Sequence, residues 1–245
     1  MQRYFVNKNQ IKAPYIEIIG DDYHHIKNVM RNNIGDKAYV CNDDKTYLAH
    51  IEKIANDKII FFIDEELKEN KELKINVSIA QGLVRKEKME EVVDYITELG
   101  ASSYIPVIMD RSIVKYKQEK DDNKNIRLNK IAKEAAEQSH RTKILEVSKT
   151  INFKELLNIS KNYDLCLYAY EKANDNDSLK KILKNKKYQN ILVLIGPEGG
   201  ISDIEVAALD KADFVKMSLG PRILRTQVAP LYIMSAISYE VELND

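Results

Sequence analysis

Hydrophobic and polar positions divide the chain into two regions with different patterns. In the first 70 residues, short runs of β-branched and aromatic residues are separated by polar turns. Runs of this length and spacing predict a small β-barrel or sandwich. One segment, 22–32, has Ile26, Val29 and Met30 at helical spacing and predicts a helix. The predicted strands are residues 15–19, 37–41, 47–54 and 58–63.

The second region alternates apolar segments with amphipathic ones. It begins after residues 65–73, which are almost all charged or polar and predict a linker. The alternation predicts an α/β domain with a largely parallel sheet. The predicted strands are 75–81, 103–109, 145–149, 165–170, 191–195 and 214–219. The predicted helices are 88–99, 125–139, 153–159, 178–184, 202–211 and 227–241. We therefore expect two domains, residues 1–70 and 74–245.

Composition is that of a folded chain with a strongly charged surface. Of the 245 residues, 44% are hydrophobic and 31% are charged, and the formal net charge is zero. A zero net charge argues weakly against a protein that binds nucleic acid by charge alone. Basic residues outnumber acidic ones between positions 111 and 149, however. That stretch is either an ordinary solvated helix face or a nucleic-acid contact.

The sequence shows no sign of disulfide bonds, metal sites, a signal peptide or a membrane span. Cys41 and Cys166 lie far apart in apolar runs, and we interpret both as reduced core residues with no metal-binding spacing. The N-terminal residues lack the pattern of a signal peptide. No apolar run approaches the roughly 20 residues that cross a bilayer. The sequence thus predicts a cytoplasmic protein with no bound metal and no membrane association.

A glycine-rich loop follows the apolar run 191–195. Its sequence, GPEGG at 196–200, precedes a capping box formed by Ser202 and Glu205, so a helix is expected to begin there. Glycines let the backbone approach a ligand closely or take positive φ. The loop matches neither the dinucleotide fingerprint nor the P-loop. Glu198 would repel phosphate and suits a nucleoside that carries a positive group. The alternative is a tight structural turn.

A second loop, residues 217–226, follows the last predicted strand. It contains Arg222 and Arg225, separated by two apolar residues. Two arginines in a tight loop after a parallel strand are candidates for substrate or nucleic-acid contact. The alternative is a pair of surface residues or salt-bridge partners. Thr226 is expected to cap the last helix, with Pro230 in its first turn.

Five motifs occur in a fixed order along the chain. They are HHIKNVMR at 24–31, the KME and TELG blocks within 88–100, EAAEQSHR at 134–141, IGPEGG with Ser and Glu within 195–205, and LGPRILRT at 219–226. With these motifs the chain resembles the ribosomal RNA small subunit methyltransferase E family of the SPOUT superfamily. The resemblance extends over nearly the whole chain.

The resemblance implies a fold, a reaction and partners. Residues 1–70 would form a PUA-like RNA-binding β-barrel, and residues 74–245 a SPOUT α/β domain with a deep C-terminal trefoil knot. The enzyme would be a homodimer that uses S-adenosylmethionine (SAM) to methylate N3 of a uridine in small-subunit (16S) ribosomal RNA, free or in the assembled subunit. The implied cofactor-binding residues are Tyr168, Tyr170, Glu171, Ile195, Gly196, Pro197, Gly199, Gly200, Met217, Leu219, Gly220, Ile223 and Leu224.

Three residues are candidates for catalysis. The uridine N3–H must lose its proton, and we expect Arg225 to stabilise the resulting negative charge. Glu198 would either accept a proton or bind the cofactor's hydroxyl groups. Gln227 stands where the family usually has glutamate, so it offers a hydrogen bond but no carboxylate base. The candidate RNA-binding residues are His25, Arg31, Arg111, Arg141 and Arg222.

Two alternatives stay open at this point. One is a related SPOUT enzyme with another RNA target, such as a ribose 2′-hydroxyl. The other is an RNA-binding ribosome assembly factor that has lost catalysis, which only Gln227 favours.

Overall fold

A computed structural model describes residues 1–42, 45–173, 178–183 and 188–243, and the side chains of all these except residues 118–120. The chain forms two units by its internal contacts. Unit 1 is Met1–Glu72 with Ala136–Ile144, and unit 2 is Leu73–Ala135 with Leu145–Asp245. The sequence had placed segment 136–144 in the second domain, whereas its contacts group it with unit 1.

Unit 1 is built on a six-stranded mixed sheet. Its strands are β1 (Arg3–Phe5), β2 (Ile11–Lys12), β3 (Tyr15–Ile19), β4 (Lys37–Asn42), β5 (Lys45–Ile54) and β6 (Lys58–Leu67). Their order is β1-β4-β5-β6-β3-β2, with β1 parallel to β4 and the other pairs antiparallel. Register shifts between β5 and β6 bend the sheet around its core. This curled sheet confirms the predicted barrel-like first region, although β6 extends into the predicted linker.

The helical segment of unit 1 differs from the prediction. An α-helix, α1, covers Gly20–His24, and a π-helical turn covers His25–Val29. The backbone N–H of Met30 donates to the carbonyl of His25, five residues earlier, at 2.9 Å. Because a π turn advances each residue by a smaller angle than an α turn, Val29 and Met30 rotate away from the core. Ile26 is fully buried, whereas Val29 is 67% exposed. The single amphipathic α-helix over 22–32 was therefore a wrong prediction.

A buried ion pair attaches residues 136–144 to the rest of unit 1. The guanidinium of Arg141, which is 4% exposed, donates to Glu72 through both Nε and Nη2. Glu72 Oε1 also accepts the backbone N–H groups of Thr142 at 2.9 Å and Lys143 at 3.0 Å. Burial by itself raises the pKa of Glu72, but the hydrogen bonds and charge of Arg141 outweigh it and lower the pKa.

Unit 2 contains a seven-stranded sheet in which every paired strand runs parallel to its neighbour. Its strands are β7 (Asn76–Gly82), β8 (Ser103–Ile108), β9 (Glu146–Val147), β10 (Ile151–Asn152), β11 (Leu165–Ala169), β12 (Asn190–Ile195) and β13 (Val215–Met217). The order is β10-β8-β7-β12-β11-β13, with β9 beside β8. Strands β11 and β12 are almost entirely apolar, as expected where helices cover both faces of a parallel sheet.

Six helices accompany these strands in the described residues. They are α2 (Lys86–Glu98), α3 (Gln118–Gln138), α4 (Phe153–Ile159), α5 (Leu179–Leu183), α6 (Asp203–Lys211) and α7 (Val228–Glu242). The predicted parallel α/β architecture is confirmed. The prediction began α3 seven residues too late, and position 184 of the predicted helix 178–184 lies outside the described residues. Cys41 and Cys166 are buried and free, as predicted. None of the described helices is long and apolar enough to cross a membrane.

Replacement of Glu72 by glutamine should lower the free energy of unfolding by about 3 kcal/mol, because it leaves the buried Arg141 charge unpaired. The matched control is Glu66→Gln, which removes an exposed pair with Lys45 at 2.7 Å and should cost about 0.5 kcal/mol or less. Urea unfolding of both variants measures the difference. Equal losses would show that burial adds nothing to the Glu72 pair.

The same carboxylate should make stability depend on pH. Because the folded-state pKa of Glu72 is lowered, its contribution is complete above the ordinary value of 4.5 and is lost as the pH falls through the lowered pKa. In urea unfolding at several acidic pH values, the wild type should therefore lose part of its advantage over Glu72→Gln as the pH falls below 4.5. A difference that is constant with pH would contradict the assignment.

Candidate active site

The candidate active site is a cleft at the carboxyl ends of three neighbouring parallel strands. The loops that follow β11, β12 and β13 line it, as expected for a ligand site in an open α/β sheet. Its volume is about 490 Å³, which is within the range of small-molecule sites. The sequence-predicted residues that line it are Tyr170, Glu171, Ile195, Gly196, Pro197, Glu198, Gly199, Gly200, Leu219, Gly220, Arg222, Ile223, Leu224, Arg225 and Gln227.

Two predicted cofactor residues lie within the sheet instead. Tyr168 is fully buried in β11, and its hydroxyl donates to Asp210 Oδ1 at 2.7 Å. Met217 is fully buried at the end of β13. Neither is among the residues that line the cleft.

Residues 196–200, here called the glycine loop, need their glycines for steric reasons. A Cβ atom on Gly199 would lie 2.8 Å from the carbonyl oxygen of Arg111 and 2.9 Å from its Cβ. A Cβ on Gly196 would lie 3.0 Å from the side chain of Ile201. Gly200 has φ of +73°, a conformation that other residues rarely adopt. These contacts keep the glycine loop compact against its neighbours.

The helix that follows the glycine loop begins with the predicted capping box. Glu205 N–H donates to Ser202 Oγ at 3.2 Å, and Ser202 N–H donates to Glu205 Oε2 at 2.9 Å. The other oxygen of the buried Glu205 accepts the backbone N–H of Asp110 at 2.9 Å, and Ser202 Oγ donates to Asp110 Oδ2 at 2.8 Å. The capping residues therefore also anchor the turn after β8. Arg111, in that turn, donates to the Gly199 carbonyl at 3.4 Å.

Lys88 also lines the cleft, although the sequence pattern predicted no role for it in the site. It lies in the first turn of α2, and its ammonium group donates to Glu198 Oε1 at 3.0 Å. Lys88 belongs to the KME motif, but nothing in the sequence linked that motif to Glu198 of the glycine loop, 110 residues later. The pair is partly exposed, so its effect on stability is small. Its consequence is to orient the Glu198 carboxylate at the edge of the cleft.

Residues 218–227, here called the arginine loop, form the facing wall. Arg222 and Arg225 are exposed, and within the described residues neither guanidinium has a hydrogen bond or ion pair. Gln227 Oε1 is buried and has no hydrogen-bond partner in the same part of the chain. The two guanidinium groups and the Gln227 side-chain oxygen are therefore available for contacts with a ligand.

Thr226 does not cap α7 as predicted. The residue at the N-cap is Gln227, while Thr226 Oγ1 donates to the carbonyl of Gly196 at 2.8 Å. The Thr226 hydroxyl therefore bonds across to the glycine loop, and within the part of the chain that the structure describes no side chain caps the first turn of α7. Pro230 is the third residue of α7, which confirms its predicted place in the first turn.

The remaining predicted RNA-binding residues belong to unit 1. His25 is half-buried, and its Nδ1 lies 3.1 Å from the Tyr4 hydroxyl. Arg31 is exposed with φ of +54°. Arg141 is buried against Glu72, so its guanidinium already has its partners. No group of three metal-ligating side chains occurs among the described residues.

Comparison with known proteins agrees with this geometry. Residues 71–238 match the family model described as an RNA methyltransferase domain, and residues 18–64 match an RNA methyltransferase PUA domain. The chain is 41% identical to a Bacillus subtilis protein named ribosomal RNA small subunit methyltransferase E, over 99% of this chain and 98% of that one. The chain belongs to the ribosomal RNA small subunit methyltransferase E family of RNA methyltransferases.

Solved structures show the same fold. A Legionella pneumophila protein, described as a methyltransferase in complex with the bound cofactor SAM, is 26% identical with a TM-score of 0.88, and 97% of each chain is covered. A Neisseria gonorrhoeae ribosomal RNA small subunit methyltransferase E bound to SAM is 24% identical with a TM-score of 0.85 over 98% of each chain. The two-part SPOUT-type fold predicted for this family is thereby confirmed.

The glycine loop should not tolerate a side chain at Gly199. Gly199→Ala is expected to destabilise the protein by about 1–3 kcal/mol, because the new Cβ meets the Arg111 backbone. Gly196→Ala is the comparison, since a Cβ there would lie no nearer than 3.0 Å to the side chain and 3.2 Å to the backbone of its neighbours. Urea unfolding should show the larger loss at Gly199. The reverse order would contradict the close approach of Arg111.

Proposed function

We propose that this protein transfers a methyl group from SAM to N3 of a uridine in small-subunit ribosomal RNA. The observation that carries the proposal is the convergence of the glycine loop and the arginine loop on one cleft at the carboxyl edge of a parallel sheet. The name of the Bacillus subtilis relative supports the RNA substrate, and the SAM-bound Legionella pneumophila protein supports the cofactor.

The residues of the cleft fit SAM in size and in charge. The volume of about 490 Å³ suits a nucleoside with an amino-acid tail. Glycines at 196, 199 and 200 leave backbone groups accessible, and Ile195, Leu219 and Leu224 supply apolar contacts. The carboxylates of Glu171 and Glu198 complement a positive sulfonium. When bound, SAM supplies the electrophilic methyl group. Tyr170, Pro197, Gly220 and Ile223 complete the proposed binding surface.

The protein's own task is to hold the uracil ring and stabilise its anion. Removal of the N3 proton spreads negative charge over the two carbonyl oxygens. We assign to Arg225, which has no partner among the described residues, the role of donating to one of those oxygens, where its charge would lower the barrier. Gln227 offers an amide to the same ring. Glu198 accepts the proton or binds the ligand's hydroxyl groups, and Arg222 contacts phosphate.

Contacts with the rest of the RNA are proposed for both units. Unit 1 matches a PUA domain, and its exposed Arg31 and half-buried His25 are candidate contacts. In unit 2, Arg111 is exposed beside the glycine loop. Phosphate contacts of this kind make binding weaken as salt rises. Because Arg141 is buried, we assign it to the stability of unit 1 and not to RNA contact.

We also propose a homodimer, as the family implies. Large apolar side chains on α7 are exposed, among them Val228, Tyr232 and Tyr239, and Tyr95 on the neighbouring α2 is exposed as well. Apolar side chains grouped in this way are typical of a protein–protein contact. The trefoil knot and the cytoplasmic location stay predictions.

Transfer of label from SAM to small ribosomal subunits that lack the modification tests the reaction. After digestion, labelled N3-methyluridine is the expected nucleoside. A labelled 2′-O-methyl nucleoside would replace the proposal with the related enzyme that has another target. Cofactor binding without transfer to subunits or to naked ribosomal RNA would favour the assembly factor.

Arg225→Ala should reduce kcat by about 10²–10³-fold with little change in the Kd for SAM, since the arginine acts on charge that develops during the reaction. The control is Arg222→Ala in the same loop, which should raise the KM for RNA and lower kcat far less. Steady-state kinetics with subunits as substrate separates the two. Similar kcat values for both variants would refute the role of Arg225.

A further inference from the structure

Two fully buried polar side chains lie beneath the cleft and are not used by the mechanism above. Gln81 lies near the carboxyl end of β7, and Tyr104 lies on the adjacent strand β8; both are 0% exposed. Gln81 pairs in register with Ile195, the residue before the glycine loop. Burial of an amide costs free energy unless each of its polar atoms is hydrogen-bonded. The polar atoms of the Gln81 side chain are therefore expected to have partners.

The hydrogen bonds of these side chains form one continuous chain. The Tyr104 hydroxyl donates to Gln81 Oε1 at 2.7 Å. Gln81 Nε2 donates to Thr226 Oγ1 at 3.0 Å and to the Thr226 carbonyl at 2.8 Å. The Thr226 hydroxyl in turn donates to the Gly196 carbonyl at 2.8 Å. The chain therefore connects β8 and β7 with both loops of the cleft.

The direction of every hydrogen bond in this chain is fixed by chemistry. The Gly196 carbonyl can only accept, so the single hydroxyl proton of Thr226 points to it and Thr226 Oγ1 accepts from Gln81. Gln81 must then present its N–H groups to Thr226 and its oxygen to Tyr104. Burial raises the pKa of Tyr104, which keeps its hydroxyl protonated as a donor. Only one arrangement of donors and acceptors satisfies all the groups.

Thr226 is the point at which this chain controls the cleft. It directly follows Arg225 and directly precedes Gln227, the two arginine-loop residues proposed to contact the uracil. Its hydroxyl bonds to Gly196, the first residue of the glycine loop. The position of Arg225 relative to the glycine loop is consequently set by Thr226, and the position of Thr226 is set by Gln81.

We propose that Tyr104, Gln81 and Thr226 are positioning residues that hold the glycine loop and the arginine loop in the arrangement that binds the cofactor. This inference rests on the proposed SAM-dependent function. It assigns the three residues no contact with the reacting atoms; they act through Gly196, Arg225 and Gln227. Since the chain is anchored on central strands of the sheet, both loops are held before any ligand arrives.

The test compares Thr226→Val, Thr226→Ser and Tyr104→Phe with a matched control. Thr226→Val removes the hydroxyl with little change in volume, whereas Thr226→Ser keeps it. Tyr104→Phe removes only the donor to Gln81. The control is Tyr163→Phe, which removes a hydroxyl that bonds to Ser78 Oγ at 3.0 Å on the same strand, β7, away from the cleft. Thermal unfolding of each variant confirms that it is folded.

Three readouts are measured on each protein: the Kd for SAM by calorimetry, amide hydrogen exchange in residues 196–200 and 218–227, and kcat. Thr226→Val should weaken SAM binding about tenfold and Tyr104→Phe severalfold, with faster exchange in both loops. Thr226→Ser should restore the Kd to within about threefold of the wild type. Tyr163→Phe should lower the unfolding midpoint but leave the Kd and the exchange in both loops unchanged.

The outcomes separate this inference from the function on which it rests. The positioning role would be overturned if Thr226→Val and Tyr104→Phe kept the wild-type Kd and the wild-type exchange in both loops. Their stability losses would then resemble that of Tyr163→Phe. If the wild type failed to bind SAM, the proposed function would be overturned. In that case, faster exchange in both loops of Thr226→Val would still support the positioning role, and unchanged exchange would refute it.

Discussion

Backbone N–H and C=O groups in the loops at the carboxyl edge of the parallel sheet need hydrogen-bond partners that the sheet no longer provides. The structure of the cleft depends on which side chains supply those partners. Within a strand, the neighbouring strand pairs each N–H and C=O group. Beyond its end, side chains must take over that task. Here Thr226 bonds to the Gly196 carbonyl, and Glu205 accepts the N–H groups of Asp110 and Ser202. The loops are thus ordered by side chains, among them Thr226 and Glu205, that reach loops distant in sequence.

This arrangement explains why the glycine loop has contacts of two kinds. On one side, the turn at Asp110 and Arg111 approaches so closely that Gly199 has no room for a Cβ atom. On the other, the Thr226 hydroxyl bonds to Gly196, and Gln81 supports Thr226 from below. Close packing on both sides leaves the remaining face of the loop open to the cleft. A rigid backbone surface lowers the entropy lost when a ligand binds.

Side chains of both charges line the cleft. Carboxylates of Glu171 and Glu198 lie on its lining together with Arg222 and Arg225 of the facing wall. Lys88 orients Glu198, whereas the two arginines have no partner among the described residues. Negative groups suit a sulfonium and positive groups suit RNA and a developing oxyanion. This distribution favours a reaction between a cationic donor and an anionic acceptor.

The sequence by itself determined the parallel α/β architecture, the barrel-like first region, the two loops and the capping box, because these follow from local periodicity and from glycine, proline and serine chemistry. It did not determine the π turn at His25, because the spacing of apolar residues there fits a regular α-helix. It assigned Arg141 to RNA and Thr226 to a helix cap from adjacent motifs alone. The tertiary structure instead pairs Arg141 with Glu72 and Thr226 with Gly196. Hydrogen bonds between residues this far apart in sequence leave no periodic or local signal, so only the folded chain decides them.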